Sequence, residues 1–274
     1  VRLRLTIEYD GTPFRGWAAQ PGQATVEGAL RDALAATFAA YDGLAVAGRT
    51  DTGVHALANV ASVDALAATF AAYDGLAVAG RTDTGVHALA NVASVDVEGG
   101  PPAERAAEAL NTRLPDEISV VAAEEAAPGF HARHSAVARS YRYRLFTRRT
   151  PSPFEARRSW WYPRPVDEER LHAAAALLPG EHDFRAFTPT ETQHEVFRRV
   201  VESAEWIRRG DHLYFEITAD SYLRHMVRTL VGTMLDGIDV APLLSGAVRA
   251  EAGQTAPPSA LYLVAVRYPP PTAP

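Results

Sequence analysis

The sequence predicts an α/β (α+β) chain made of two ferredoxin-like, RRM-like βαββαβ halves, their strands forming an extended, mostly antiparallel sheet with a central cleft. Three observations carry this expectation. Hydrophobic spacing switches between period two and period four in the same order twice along the chain. At 274 residues, 47% hydrophobic and 22% charged, the chain is long enough to bury a core in each half. One exact duplication, residues 33–64 recurring letter for letter as 65–96, can be set aside to leave the pattern regular.

In the first half, Arg2 to Tyr9 alternates with Leu3, Leu5, Ile7 and Tyr9 on one face, the signature of a strand. Thr25 is placed to cap a helix carrying Val26, Leu30, Leu34 and Phe38 at spacing four. Short strands are expected at Leu44 to Ala47 and Val60 to Val63, or their duplicates. A helix from Pro102 to Leu110 and a strand from Ile118 to Ala122 complete the half. In the second half, Arg139 to Phe146 reads as a strand with Tyr141, Tyr143 and Leu145 on one face and Arg142 and Arg144 on the other. A helix over Asp167 to Leu178 follows. Strands at Val200 to Ile207 and Leu213 to Thr218 flank the hairpin signal Arg208-Arg209-Gly210-Asp211. A helix from Tyr222 to Leu235 and a strand from Leu261 to Tyr268 end the pattern. The expected boundaries are 1–130 for the first half and 131–268 for the second, with a proline-rich, disordered tail over 269–274.

The duplication is not a solenoid, which diverges between units and needs at least three to stack. It reads as a recent or clerical doubling. Deleting either copy leaves the same sequence, so the letters do not say which copy is native.

Composition narrows the chemistry. There are no cysteines, which removes disulfides, thiolate nucleophiles and cysteine-ligated zinc. All 27 basic residues are arginine, so lysine Schiff bases are excluded too. Charge interrupts the first eight residues and no stretch is long and apolar enough to span a bilayer, which predicts a cytoplasmic address and no membrane partner.

The net charge of −6 hides a local asymmetry. Between His131 and Arg164 nine arginines (133, 139, 142, 144, 148, 149, 157, 158 and 164) face one acid, Glu155. Arginine binds phosphate bidentately and stacks on bases, and Tyr141, Tyr143, Trp160, Trp161 and Tyr162 are interleaved among them. These are the ingredients of an RNA groove; a solvated arginine-rich face is the plainer alternative. The repeated loop Gly48-Arg49-Thr50-Asp51-Thr52-Gly53-Val54-His55 is the other candidate. An aspartate at a loop tip, with an arginine two residues before it, stays ionised and available as a nucleophile. A turn aspartate bonding its own backbone is the plainer reading of the same letters.

Eight blocks in order then bring in a resemblance covering nearly the whole chain. They are Leu5 to Gly11, Phe14-Arg15-Gly16-Trp17, Ala47 to Ala56, Leu110 to Pro115, Phe130 to Arg133 through Tyr141-Arg142-Tyr143, His182-Asp183-Phe184, His225-Met226-Val227-Arg228 and Leu261 to Val264. Together they resemble the tRNA pseudouridine synthase A (TruA) family. The resemblance implies the pseudouridine synthase fold, tRNA as partner, a homodimer, no cofactor, and isomerisation of uridines at positions 38, 39 and 40 of the anticodon stem-loop. Carried over residue by residue, Asp51 or its duplicate Asp83 resembles the nucleophile. The resemblance leaves open whether that aspartate attacks the base, attacks the sugar or deprotonates it. Arg49 or Arg81 resembles the arginine that holds the target nucleotide out of the stack. Tyr141 resembles the aromatic that packs on the target base, and Arg228 the arginine that pairs with the catalytic carboxylate. Arg133, Arg139, Arg142 and Arg144 are the expected RNA contacts. His55 and His225 lack carboxylate or thiol partners at ligand spacing, so no metal is assigned.

The chain departs from the family pattern at Ala18, Ser140 and Ala260, all peripheral to this chemistry. The duplication departs further, since a second helix, strand and loop cannot occupy one place in a sheet. Two rival readings remain. A catalytically silent RNA-binding or chaperone protein could use the same fold. The triplets Asp51-Thr52-Gly53 and Asp83-Thr84-Gly85 suggest an aspartic protease, although 32 residues is too short a separation for two β-rich lobes.

Overall fold

The computed structural model describes residues 1–10, 12–46, 49–52, 56–59, 81–82, 87–192 and 194–270, with 42–46, 49–52, 56–59, 81, 82, 87 and 88 described by backbone alone. The chain divides into two compact units, Val1–Val137 with Leu263–Pro274, and Ala138–Tyr262.

The first unit runs β1 (Arg2–Tyr9), β2 (Arg15–Gly16), α1 (Val26–Thr37), β3 (Ala40–Val46), β4 (Arg49–Thr52), β5 (Ala56–Asn59), β6 (Arg81–Thr82), β7 (His87–Glu98), α2 (Ala103–Asn111) and β8 (Ile118–Glu125). β1 alternates half-buried and buried residues along its whole length, and Leu3, Leu5, Ile7 and Tyr9 point into the core as the period of two requires. Each fully buried aliphatic contributes about 1.5–3 kcal/mol. α1 begins where Thr25 accepts a hydrogen bond from the Gly28 N–H at 3.1 Å, a cap worth about 1 kcal/mol, and buries Val26, Leu30 and Leu34. α2 is tied to β8 through Asn111, whose amide donates to Val120 O at 3.0 Å and accepts from Val120 N–H at 2.7 Å.

β1 lies between β8 and β7, antiparallel to both. The β7 ladder runs from Arg2 opposite Asp96 to Tyr9 opposite Ala88, with Arg2 and Asp96 ion-paired at 2.6 Å. Ile7 and Tyr9 are also registered opposite Asn59 and Ala56 of β5, the identical counterparts of Asn91 and Ala88. β5 is also registered against β7, Ala58 opposite Ala90, so both identical segments lie at the same edge of β1, where each residue has one set of ladder bonds to offer. β7 holds the place. It alone continues into Val97, whose N–H bonds Val1 O at 2.8 Å, and into Gly99 and Gly100 at φ 67° and 81°. β3, from the first copy, pairs with β7, from the second, starting at Ala40 opposite Glu98. That pairing reaches past the repeat, which is why β3 starts earlier than the expected Leu44. Val60 to Val63 lie outside the described residues; their duplicates, Val92 to Val95, sit within β7.

The second unit runs β9 (Ala138–Phe146), β10 (Trp160–Trp161), α3 (Glu168–Ala176), β11 (Gly180–Asp183), β12 (Arg198–Arg209), β13 (His212–Ala219) and α4 (Met226–Asp236). The last strand, β14 (Leu261–Arg267), belongs to the first unit from Leu263 onward. β11, β12, β13 and β9 lie side by side and antiparallel, and β10 pairs parallel with the end of β9. The expected hairpin turns at Gly210, whose φ of 58° suits glycine. Leu213, Phe215 and Ile217 of β13 share the buried face with Tyr143 and Leu145 of β9. α4 begins only at Met226, not at the expected Tyr222, because His225 takes φ 64°, a left-handed conformation that cannot continue a right-handed helix. β11 is an additional edge strand, too short and polar (Gly-Glu-His-Asp) to show in the hydrophobic pattern. Of the expected tail, residues 271–274 lie outside the described residues.

Candidate active site

In the first unit the repeated loop is anchored at its start. β4 pairs antiparallel with β2, setting Gly16 opposite Asp51 and Arg15 opposite Thr52. Gly16 is buried with φ 93°, where a side chain would be strained, so the backbone carrying Asp51 meets a glycine. β4 also runs parallel to β6, with Arg49 opposite Arg81 and Thr50 opposite Thr82. The Arg-Thr segments of the two copies therefore lie side by side and point the same way. Asp83 and His55 lie outside the described residues.

In the second unit, Tyr141 is 6% exposed on β9, its ring edge-on to Tyr222 with centroids 4.8 Å apart. Tyr222 is a residue the sequence reading missed, because its spacing reads as the start of α4. Its hydroxyl instead lies 3.0 Å from both Arg139 O and Ile217 O, bracing the Tyr141 ring from behind. Burial pushes the Tyr222 hydroxyl well above the usual phenol range, and the neighbouring Tyr141 and Asp220 add to the shift. It is a fixed donor at neutral pH. The signal that could have found it is the aromatic placed immediately before Leu223-Arg224-His225, where a left-handed residue interrupts helix periodicity.

Arg228 is half-buried in α4. Its Nε donates to Ala256 O at 2.7 Å, and the Ala256 N–H donates back to Arg228 O at 3.1 Å, so the guanidinium is oriented by backbone. Near it, Tyr143 donates its hydroxyl to Pro257 O at 2.7 Å. Burial drives that hydroxyl well above its ordinary range, with the Arg228 charge pulling the other way.

Three of the four arginines expected to contact RNA have side chains engaged within the protein. Arg139 donates to Asp220 O at 2.7 Å. Arg142 pairs with Glu216, its cross-strand neighbour on β13, at 2.7 Å and lies over Tyr214. Arg144 donates to the Tyr262 hydroxyl at 3.2 Å and reaches Glu155 at 3.3 Å. Arg133 is half-buried, its N–H bonded to His131 Nδ1 at 3.2 Å. Burial disfavours the Glu155 carboxylate, yet hydrogen bonds from His212 and Ser159 and the charge of Arg144 outweigh it and hold the carboxyl below its usual range. Among the described residues no group of three His, Asp or Glu could hold a metal ion. No described helix is long and apolar enough to cross a membrane.

The mostly antiparallel α/β fold, with a strand-borne Arg-Thr-Asp segment in the first unit and a braced tyrosine and an oriented arginine in the second, is compatible with the class suggested by the motifs, and comparison with known proteins shows that class. Residues 174–269 match the family model described as tRNA pseudouridine synthase. The chain is 38% identical to tRNA pseudouridine synthase A of Rhodopseudomonas palustris (strain HaA2), covering 97% of this chain and 99% of that protein. It is 35% identical to the protein of the same name from Bacillus subtilis (strain 168), covering 98% and 99% respectively, and 35% identical to that of Solibacter usitatus (strain Ellin6076), covering 97% and 99%. The chain belongs to the tRNA pseudouridine synthase family, whose members are isomerases.

Proposed function

We propose that the chain converts uridine to pseudouridine at positions 38, 39 and 40 of the tRNA anticodon stem-loop, with an aspartate of the repeated loop, Asp51 or Asp83, as nucleophile. The observation that carries this reading is the near full-length likeness to proteins of that name, with the Arg-Thr-Asp-Thr-Gly loop intact in both copies. The reaction breaks the bond from N1 of the base to C1′ of the ribose and forms one from C5 to the same carbon. The proton on C5 goes to solvent and N1 takes one up, so no electrons are gained or lost and the balance calls for no redox partner. Arg49 or Arg81 holds the extruded nucleotide, which must leave its stack to be rotated. Tyr141, fixed by Tyr222, meets the base through the small part of its ring left uncovered, and Arg228 supplies positive charge that keeps the carboxylate ionised. The same reading makes the enzyme a cytoplasmic homodimer, and sedimentation at working concentration tests the second point.

The test is tritium release from tRNA labelled at C5 of uridine, measured with the chain as written, with Asp51→Asn, with Asp83→Asn and with both. Loss of release with one single change identifies the working copy. Release that survives the double change overturns the nucleophile assignment, and it leaves the silent RNA-binding reading aside as well.

A further inference from the structure

The arginines of β9 are spent on contacts inside the protein, but those of the connection after it are not. Across residues 147–164, Arg148, Arg149, Arg157, Arg158 and Arg164 are all exposed. The one acid of that stretch, Glu155, turns its carboxylate towards Arg144 and His212, at 3.3 and 3.2 Å. The outer surface of the connection is therefore cationic with no acid of its own to offset it. The side chains of Arg149 and Arg157 have no ion-pair or hydrogen-bond partner among the described residues.

Within this surface stands Phe154, 83% exposed, with Trp161 42% exposed in the same connection. A phenylalanine left in water forgoes the favourable burial open to its ring, and this one is not on a dangling loop. Its turn is closed by the Ala156 N–H on Ser152 O and the Ser159 N–H on Glu155 O, each at 3.1 Å. It is bolted down by the Tyr262 hydroxyl on Arg158 O at 2.5 Å and by the Trp161 indole N–H on Arg148 O at 2.9 Å. A rigid turn that displays an aromatic ring among arginines suits a partner with flat π-faces and closely spaced negative charge. Unpaired nucleotides have both. A second copy of this chain docking by two-fold symmetry would instead bring the same cationic patch against itself.

Resting on the reading of tRNA as substrate, we propose that residues 147–164 form a docking surface for unpaired nucleotides of the tRNA, with Phe154 stacking on a base and Arg149 and Arg157 on phosphates. The experiment measures binding of unmodified tRNA across a salt series for the wild type, Phe154→Ala, Phe154→Trp and the pair Arg149→Ala with Arg157→Ala. Tritium release by the wild type is followed on the same tRNA. Phe154→Ala is expected to weaken binding about tenfold with the salt slope unchanged, and Phe154→Trp to restore it. The arginine pair is expected to flatten the slope of log affinity against log salt by roughly 1.4–1.8. Wild-type affinity in Phe154→Ala overturns the proposal, and a loss of self-association in that variant would assign the face to a second copy. The Phe154 effect without any wild-type tritium release would remove the catalytic reading while leaving the docking surface in place.

Discussion

The two copies of the repeat are the same 32 letters, yet they meet different ends. His87 to Asp96 lies in a strand that pairs with β1 along its length and buries Val92, Ala93 and Val95. The first copy's described strand stops at Ala56–Asn59 and touches β1 at the same two residues that β7 uses. The first copy supplies the end of α1 and β3 because Thr25 and the start of the helix lead directly into it. The second supplies β7 because Val97, Gly99 and Gly100 lead directly out of it. Identical propensity cannot separate the two; connectivity to unique neighbours does, giving β7 the long ladder on β1 and β5 only two registered positions there.

The largest break in that comparison is Val95→Asp, which places an unpaired charge at a position 0% exposed opposite Leu3. It is expected to cost about 4 kcal/mol or more and to abolish the cooperative transition in urea. The same change at the identical Val63 should leave that transition close to wild type. Equal damage at both would mean that both copies take the slot.

Next is Gly100→Ala, at the join that commits the second copy. At φ 81° the new Cβ would fall 2.6 Å from the Phe38 ring and 2.9 Å from Thr37 O. A loss of about 1–3 kcal/mol is expected in chemical denaturation. No loss would show that the join does not select the strand.

The second unit, where nothing is duplicated, provides the contrast. Glu155 has a folded-state pKa below its ordinary value, so the stability it contributes is present above the unfolded pKa and is lost as pH falls through the folded one. Glu155→Gln should cost roughly 1.5 kcal/mol at neutral pH, and the difference from wild type should vanish in acid. A difference that persists in acid would make the loss one of packing, not charge.

The smallest effect, and the one of opposite sign, is deletion of one copy. Residues 47–86, between β3 and β7, carry the short strands β4, β5 and β6, and removing 32 of them shortens the span about fivefold. Loop-closure entropy by itself favours the shorter chain by about 1.4 kcal/mol, read as a higher denaturation midpoint where the lost pairings of β4, β5 and β6 contribute less than that. A decrease would mean that the surplus segment makes stabilising contacts of its own.

Much of the fold was legible in the letters. β1 matches its expected span because alternation is a local property, and α1 starts where Thr25 can cap it. The hairpin at Gly210 follows from residues that tolerate a tight turn. The start of α4 was not legible, since the left-handed His225 and the buried hydroxyl of Tyr222 are consequences of packing. The candidate site was legible as motifs in order. The condition of its arginines was not: Arg142 and Arg144 alternate with core residues and look solvent-facing until the neighbouring strand brings Glu216 opposite one and the segment after β9 folds Glu155 back onto the other.

By itself, then, the sequence determined the family, most of the order of elements and a candidate loop for the chemistry, because motif spacing and hydrophobic period are written locally. Only the tertiary structure decided which of two identical segments extends into the long strand along β1 and which arginines remain available to a partner. Both depend on what lies across a sheet edge, and an edge has room for one neighbour at each position.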